Sequence, residues 1–284
     1  MAPATSDRLT ARTSPGSRCR LAVWSLARFG LFVLLLSLAI SVLILPVLRH
    51  LELSWWQGFR RCVSISSALS LWIIVKQLER RPFSSYGLMG WGAGKRQLLA
   101  GILLGAGALS CMLAVGLASG VCQLRVTPDR AKLWGTVFGF VPAAFLVSVL
   151  EELVFRGFIL QHLVACSTPL AVVISSAVYA LVHVKTGALS WAIWRELGGL
   201  FLLGAVLALS YLRTRHLFLA IGLHAVLAYG ARVNKLLLQF PDSSLAWLTG
   251  TNRLVNGLMG WFALLVIGGL IYWRAGSSEA SSPG

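Results

Sequence analysis

The chain is poor in acid. Nine Asp and Glu stand against 25 Lys and Arg, for a formal net charge of +16. It is poor in charge altogether: 12% of residues are charged, against about 25% in an ordinary soluble domain. Hydrophobic residues make up 57%, and the mean hydropathy is +0.79. That balance excludes a soluble core and implies a polytopic helical membrane protein. The five cysteines (Cys19, Cys62, Cys111, Cys122, Cys166) are scattered and form no C-x-x-C, so neither a disulfide framework nor a zinc knuckle is expected. The local zinc signature H-E-x-x-H is absent. No internal repeat is present either, which weighs against a transporter built from two related halves.

What is present is a series of apolar runs. They mark an all-α fold, a polytopic membrane helix bundle of about eight transmembrane helices, near 29–48, 58–76, 98–121, 134–163, 169–184, 197–212, 217–231 and 255–273. Three regions follow: a polar basic N-terminal tail over 1–28, a membrane-embedded helical domain over 29–274, and a disordered tail over 275–284. The run after Arg28 is about 20 residues, long enough to span. No small-residue cleavage site follows it, so it reads as an uncleaved anchor and not as a signal peptide.

The basic residues flank apolar runs, as orientation signals and headgroup contacts do, and no compact basic domain exists to bind nucleic acid. The tail holds Arg8, Arg12, Arg18, Arg20 and Arg28, and the loop after the second run holds Lys76, Arg80, Arg81, Lys95 and Arg96. Both belong on one side of the membrane, which places the N- and C-termini in the cytoplasm. The stretch from Lys185 to Glu196, with Trp191 and Trp194, reads as an interfacial segment.

Few ionisable residues lie at depth. Glu151 and Glu152 sit side by side in an apolar run, with Arg156 four residues beyond Glu152; His183 and His224 lie on two later runs. A charge at membrane depth costs roughly 2.5–3.5 kcal/mol by insertion scales, and it marks a functional site or an internal partner. Glu152 and Arg156 share one helix face, acid before base, so Glu152 can serve simply to neutralise Arg156. Glu151 is offset by about 100° and needs another partner. His162 reads as an end-of-helix residue. Two Glu and two His permit two chemistries: a divalent metal site on Glu151, Glu152, His183 and His224, or a water activated directly by Glu and His.

Glu151-Glu152-x-x-x-Arg156-Gly157, then Tyr179-x-x-x-His183, then an intramembrane His224, resembles the CPBP family. This is the CAAX-protease and bacteriocin-processing group of intramembrane endopeptidases, also called Abi proteins. The resemblance covers about residues 80–232. It implies an eight-helix membrane bundle in a bacterial inner membrane, acting on a membrane-associated protein or peptide. It also implies roles: Glu151 as the water-activating base, His183 as its partner on that water, Glu152 as a second carboxylate oriented by Arg156, and His224 as the oxyanion-side histidine. It requires no cofactor, although a divalent metal is compatible with it. In one respect the chain departs from the family, which often carries Asn or Asp four residues after the last His. Here that position is Ala228. Tyr229 and Asn234 are the nearby polar residues that could replace it. The departure leaves a second reading open, a non-catalytic membrane binding or immunity protein built on the same residues.

Overall fold

The structure, a computed structural model, describes residues 14–50, 55–88, 90–183, 190–241, 243–250 and 255–279. Arg8 and Arg12, used above for orientation, and Lys185, the start of the expected interfacial segment, lie outside them. The helices are α1 (Pro15–Leu43), α2 (Leu45–His50), α3 (Trp55–Ile73), α4 (Trp91–Ala118), α5 (Arg130–Glu152), α6 (Gln161–Val164), α7 (Thr168–His183), α8 (Trp191–Thr214), α9 (Phe218–Leu237), α10 (Ala246–Thr249) and α11 (Leu258–Glu279). The chain divides into two units, Met1–Ser85 with Phe158–Ala171, and Tyr86–Gly157 with Val172–Gly284.

The fold is an all-α, multi-pass membrane helix bundle. Among the described residues four helices are long and apolar enough to cross a membrane: Pro15–Leu43, Gly94–Ala118, Arg130–Val164 and Trp191–Thr214. Cys62–Leu78, Thr168–His183 and Leu258–Trp273 are shorter apolar helices. The expected count of eight is therefore not reached on length and hydropathy. The helix carrying His224 is in neither group, because His224, Arg232 and Lys235 dilute its apolar content.

In the first unit α1 begins well before its apolar run. Ser14 caps it, accepting a hydrogen bond from the Ser17 N–H, and Pro15 opens its first turn. Arg18, Arg20 and Arg28 thus lie on the helix. Its buried residues are Ala22, Ser25, Phe29, Ser37 and Ser41, a narrow stripe at helical spacing. Leu21, Trp24, Leu31, Leu34 and Leu35 are exposed, as lipid-facing side chains are. Helix α1 lies along α3, which buries Cys62, Ser66, Ser70 and Leu71. Small residues on both stripes let the helices approach closely.

The expectation of no disulfide framework is overturned here. Cys19 and Cys166 are disulfide-bonded, with Cα atoms 4.6 Å apart and 147 residues between them in sequence. The fold brings the start of α1 beside the turn between α6 and α7, a proximity that spacing along the chain does not reveal.

In the second unit α9 is the central helix, packed against α4, α5 and α8. Glycines set its distance from α4. A Cβ on Gly101 would meet the Leu219 carbonyl, one on Gly222 the Leu98 carbonyl, and one on Gly230 the Leu109 side chain. The close approach at Gly222 is therefore made by a neighbouring backbone. Two short strands, β1 (Gln123–Leu124) and β2 (Leu238–Gln239), pair antiparallel and tie the loop before α5 to the end of α9. Helix α5 starts from an Asp129 cap that accepts from the Lys132 N–H. It then continues past Glu152 into a π-helical stretch, Leu153–Leu160. Trp191 and Trp194 lie in the first turn of α8 with exposed rings. Helix α11 runs on to Glu279, beyond the expected end of the membrane domain.

Candidate active site

Glu151 and Glu152 occupy the last turn of α5, where the helix widens into its π-helical stretch. Such widenings are frequent at functional sites. Gly157 lies within the stretch, and a Cβ there would meet the Tyr86 carbonyl at 2.9 Å. The glycine of the E-E-x-x-x-R-G string is thus needed for close backbone packing.

Glu152 is fully buried and Arg156 nearly so, at 0% and 1% side-chain exposure. The Arg156 Nη1–H donates to Glu152 Oε1 at 2.9 Å, and its Nη2–H donates to the Gly204 carbonyl at 3.0 Å. The guanidinium lies 4.7 Å from the centre of the Tyr179 ring. The expected neutralising pair is present, and Glu152 does more than close it. His224 Nδ1–H donates to the same Oε1 at 2.8 Å, since a carboxylate oxygen can only accept. Glu152 therefore fixes the orientation of His224 as well as the charge of Arg156.

Glu151 has its partners on other helices. Its Oε2 lies 3.2 Å from His183 Nε2 and 3.7 Å from His224 Nε2. His183 donates Nδ1–H to the Tyr179 carbonyl at 2.7 Å. Glu151 and His183 are partly exposed, at 26% and 29%, whereas His224 is at 6%. Accessible and buried halves of the site are thus distinct.

All five residues singled out in the sequence belong to this cluster. Tyr179, in sequence simply the aromatic one turn before His183, touches the cluster in three ways. Its carbonyl holds His183, its ring lies under Arg156, and its hydroxyl lies 3.4 Å from His224 Nε2. The Tyr-x-x-x-His spacing was the available signal. The Gly204 carbonyl had none, being a backbone atom on a distant helix. Neither substitute suggested for Ala228 is at the site. Tyr229 donates its hydroxyl to the Val137 carbonyl at 3.1 Å. Asn234 lines a small cavity with Leu109, Met112 and Cys122. His162 is not merely a helix end: its Nε2 lies 3.2 Å from Glu79 Oε1.

Residues 133–229 match the family model for Rce1-like proteins, described as type II CAAX prenyl endopeptidase Rce1-like. That stretch is an Rce1-like CAAX protease family domain. It contains Glu151, Glu152, Arg156, Tyr179, His183 and His224. No curated protein and no solved structure matches the chain.

Among the described residues no group of three or more His, Cys, Asp or Glu is arranged to hold a metal ion. Glu152 Oε1 already accepts from Arg156 and His224, so it is not free to complete a four-ligand set through that oxygen.

Proposed function

We propose that the chain is an intramembrane endopeptidase that hydrolyses a peptide bond of a membrane-associated protein or peptide. The observation that carries this reading is the accessible Glu151–His183 pair, set against the buried Glu152–Arg156–His224 assembly. A water bound beside the Glu151–His183 pair is deprotonated by Glu151 while His183 orients it. The resulting hydroxide attacks the scissile carbonyl, and the oxyanion forms on the His224 side. The C–N bond then breaks, and the proton taken from water passes to the leaving amine. Arg156 and Glu152 stay out of the reaction; they hold His224 in place and offset charge. The family match over residues 133–229 supports this reading.

The same proposal extends to placement. The apolar segments cross the membrane eight times, with both termini in the cytoplasm of a bacterial cell, on the strength of the Arg and Lys flanking them. The cytosol keeps thiols reduced. On that side Cys19 and Cys166 are expected as thiols in growing cells, and oxidation closes the link.

The test compares newly formed N-termini in membranes from cells carrying wild-type protein or Glu151→Gln. Termini that arise only with wild type support the reading and identify the substrate. Identical sets, with both proteins folded, overturn it. Ala228 favours one other reading, a non-catalytic membrane binding or immunity protein. That reading expects no such termini, together with loss of partner binding in Glu151→Ala.

A further inference from the structure

The proton inventory of the site leaves one requirement unmet. Both histidines give their Nδ1–H to fixed acceptors, His183 to the Tyr179 carbonyl and His224 to Glu152. With Nδ1–H as the donor, the neutral imidazole tautomer offers only a lone pair at Nε2, and a lone pair cannot stabilise a developing anion. Glu151 and His183 serve the water that they activate, as base and orienting partner. Ala228, one turn past His224 on α9, carries no donor, and Tyr229 gives its hydroxyl to Val137. Beside His224 Nε2 stands the Tyr179 hydroxyl, 3.4 Å away.

We propose that the Tyr179 hydroxyl is the oxyanion donor of this site, acting on the carbonyl oxygen held next to His224. The inference rests on the peptidase reading above and adds a catalytic residue to it. The ring is held on several sides. Tyr179 is 1% exposed. It packs edge-on against Phe155 at 5.1 Å between ring centres, and lies under the Arg156 guanidinium. Its rotation is therefore restricted, and the O–H has a defined direction, as preorganised donors require. At rest the phenol donates toward His224 Nε2. When water attacks, the carbonyl π electrons move to oxygen, and the O–H turns to that oxyanion without giving up its proton. On collapse the C=O re-forms, the C–N bond breaks, and the phenol returns to His224. No proton is gained or lost by Tyr179 through the cycle.

The test uses membrane vesicles holding equal amounts of wild type, Tyr179→Phe, Tyr179→Phe with Ala228→Asn, and Glu151→Gln. The probe is a new N-terminus that depends on Glu151, followed over time. Phe keeps the ring, its contacts and the backbone carbonyl that holds His183, and removes only the hydroxyl. Loss of one oxyanion donor lowers the rate by about 10²–10³, and Tyr179→Phe is expected to fall in that range. The added Asn places an amide N–H one turn from His224 and is expected to restore the rate at least about tenfold, a recovery that would not follow from a packing defect. A Tyr179→Phe rate within threefold of wild type, or a slow rate that the Asn does not restore, overturns the proposal and leaves the peptidase reading standing. If no terminus distinguishes wild type from Glu151→Gln, the peptidase reading itself falls, and this inference with it.

Discussion

The molecule builds nearly the same His–Glu contact twice. In the first unit His162 donates Nδ1–H to the Phe158 carbonyl at 2.8 Å, and its Nε2 lies 3.2 Å from Glu79 Oε1. In the second, His183 donates to the Tyr179 carbonyl at 2.7 Å, and its Nε2 lies 3.2 Å from Glu151 Oε2. Each imidazole lies against the aromatic ring one turn before it, at 4.3 Å and 4.4 Å between centres. The surroundings differ. Glu79 Oε1 also accepts from the Ser25 hydroxyl at 2.8 Å, so that oxygen joins two helices. Beside Glu151 stand a second carboxylate, a guanidinium, a second histidine and a phenol. Where one pair has Phe158, the other has Tyr179. A histidine bridging a backbone carbonyl and a carboxylate is thus compatible with a purely structural role. The case for chemistry rests on what surrounds Glu151, not on the pair alone.

The comparison yields graded expectations. Glu151→Gln should lower cleavage about 10³-fold, within the range expected for loss of a general base, with the protein still folded. Glu79→Gln should leave cleavage within about threefold, because it removes a contact between helices and no reacting group. Equal losses in the two variants would dissolve the distinction between the pairs. Glu152→Ala strands the buried Arg156 and the His224 N–H, and should destabilise the fold by about 3–5 kcal/mol. Thermal melting in detergent reads this directly, and unchanged melting would contradict the role assigned to Glu152. Glu79→Ala should cost about 1 kcal/mol in the same measurement, because Glu79 and His162 are both partly exposed. Smallest of all, Cys19→Ser should change cleavage less than about twofold. In growing cells both Cys19 and Cys166 should react with a permeant maleimide as free thiols. A disulfide in cells quenched with acid would place that end of the molecule outside the cytoplasm.

Much of the site was legible in the sequence, for local reasons. The i,i+4 spacing ties Glu152 to Arg156, and the same rule leaves Glu151 to seek partners on other helices, where the structure places His183 and His224. What could not be read is long-range. Glu152 meets His224 across 72 residues of chain, and no spacing rule reaches that far. The Gly204 carbonyl that receives Arg156 belongs to the backbone and leaves no mark in composition. The Cys19–Cys166 link and the Glu79–His162 contact depend on segments brought together only by folding. At the N-terminus the apolar run begins near Phe29, but Ser14-Pro15 carries the capping signal for the helix start. Hydropathy therefore placed that boundary too late. The helix of His224 resists counting for the opposite reason. It lies inside its unit and carries polar groups that an apolar scan treats as interruptions.

The most direct measurement of the central claim is the rate at which the Glu151-dependent N-terminus forms in membranes carrying wild type, Glu151→Gln or Glu79→Gln at equal folded amounts. The account expects Glu79→Gln to track wild type and Glu151→Gln to yield no product above cells lacking the protein. Product formation by Glu151→Gln at the wild-type rate would contradict it.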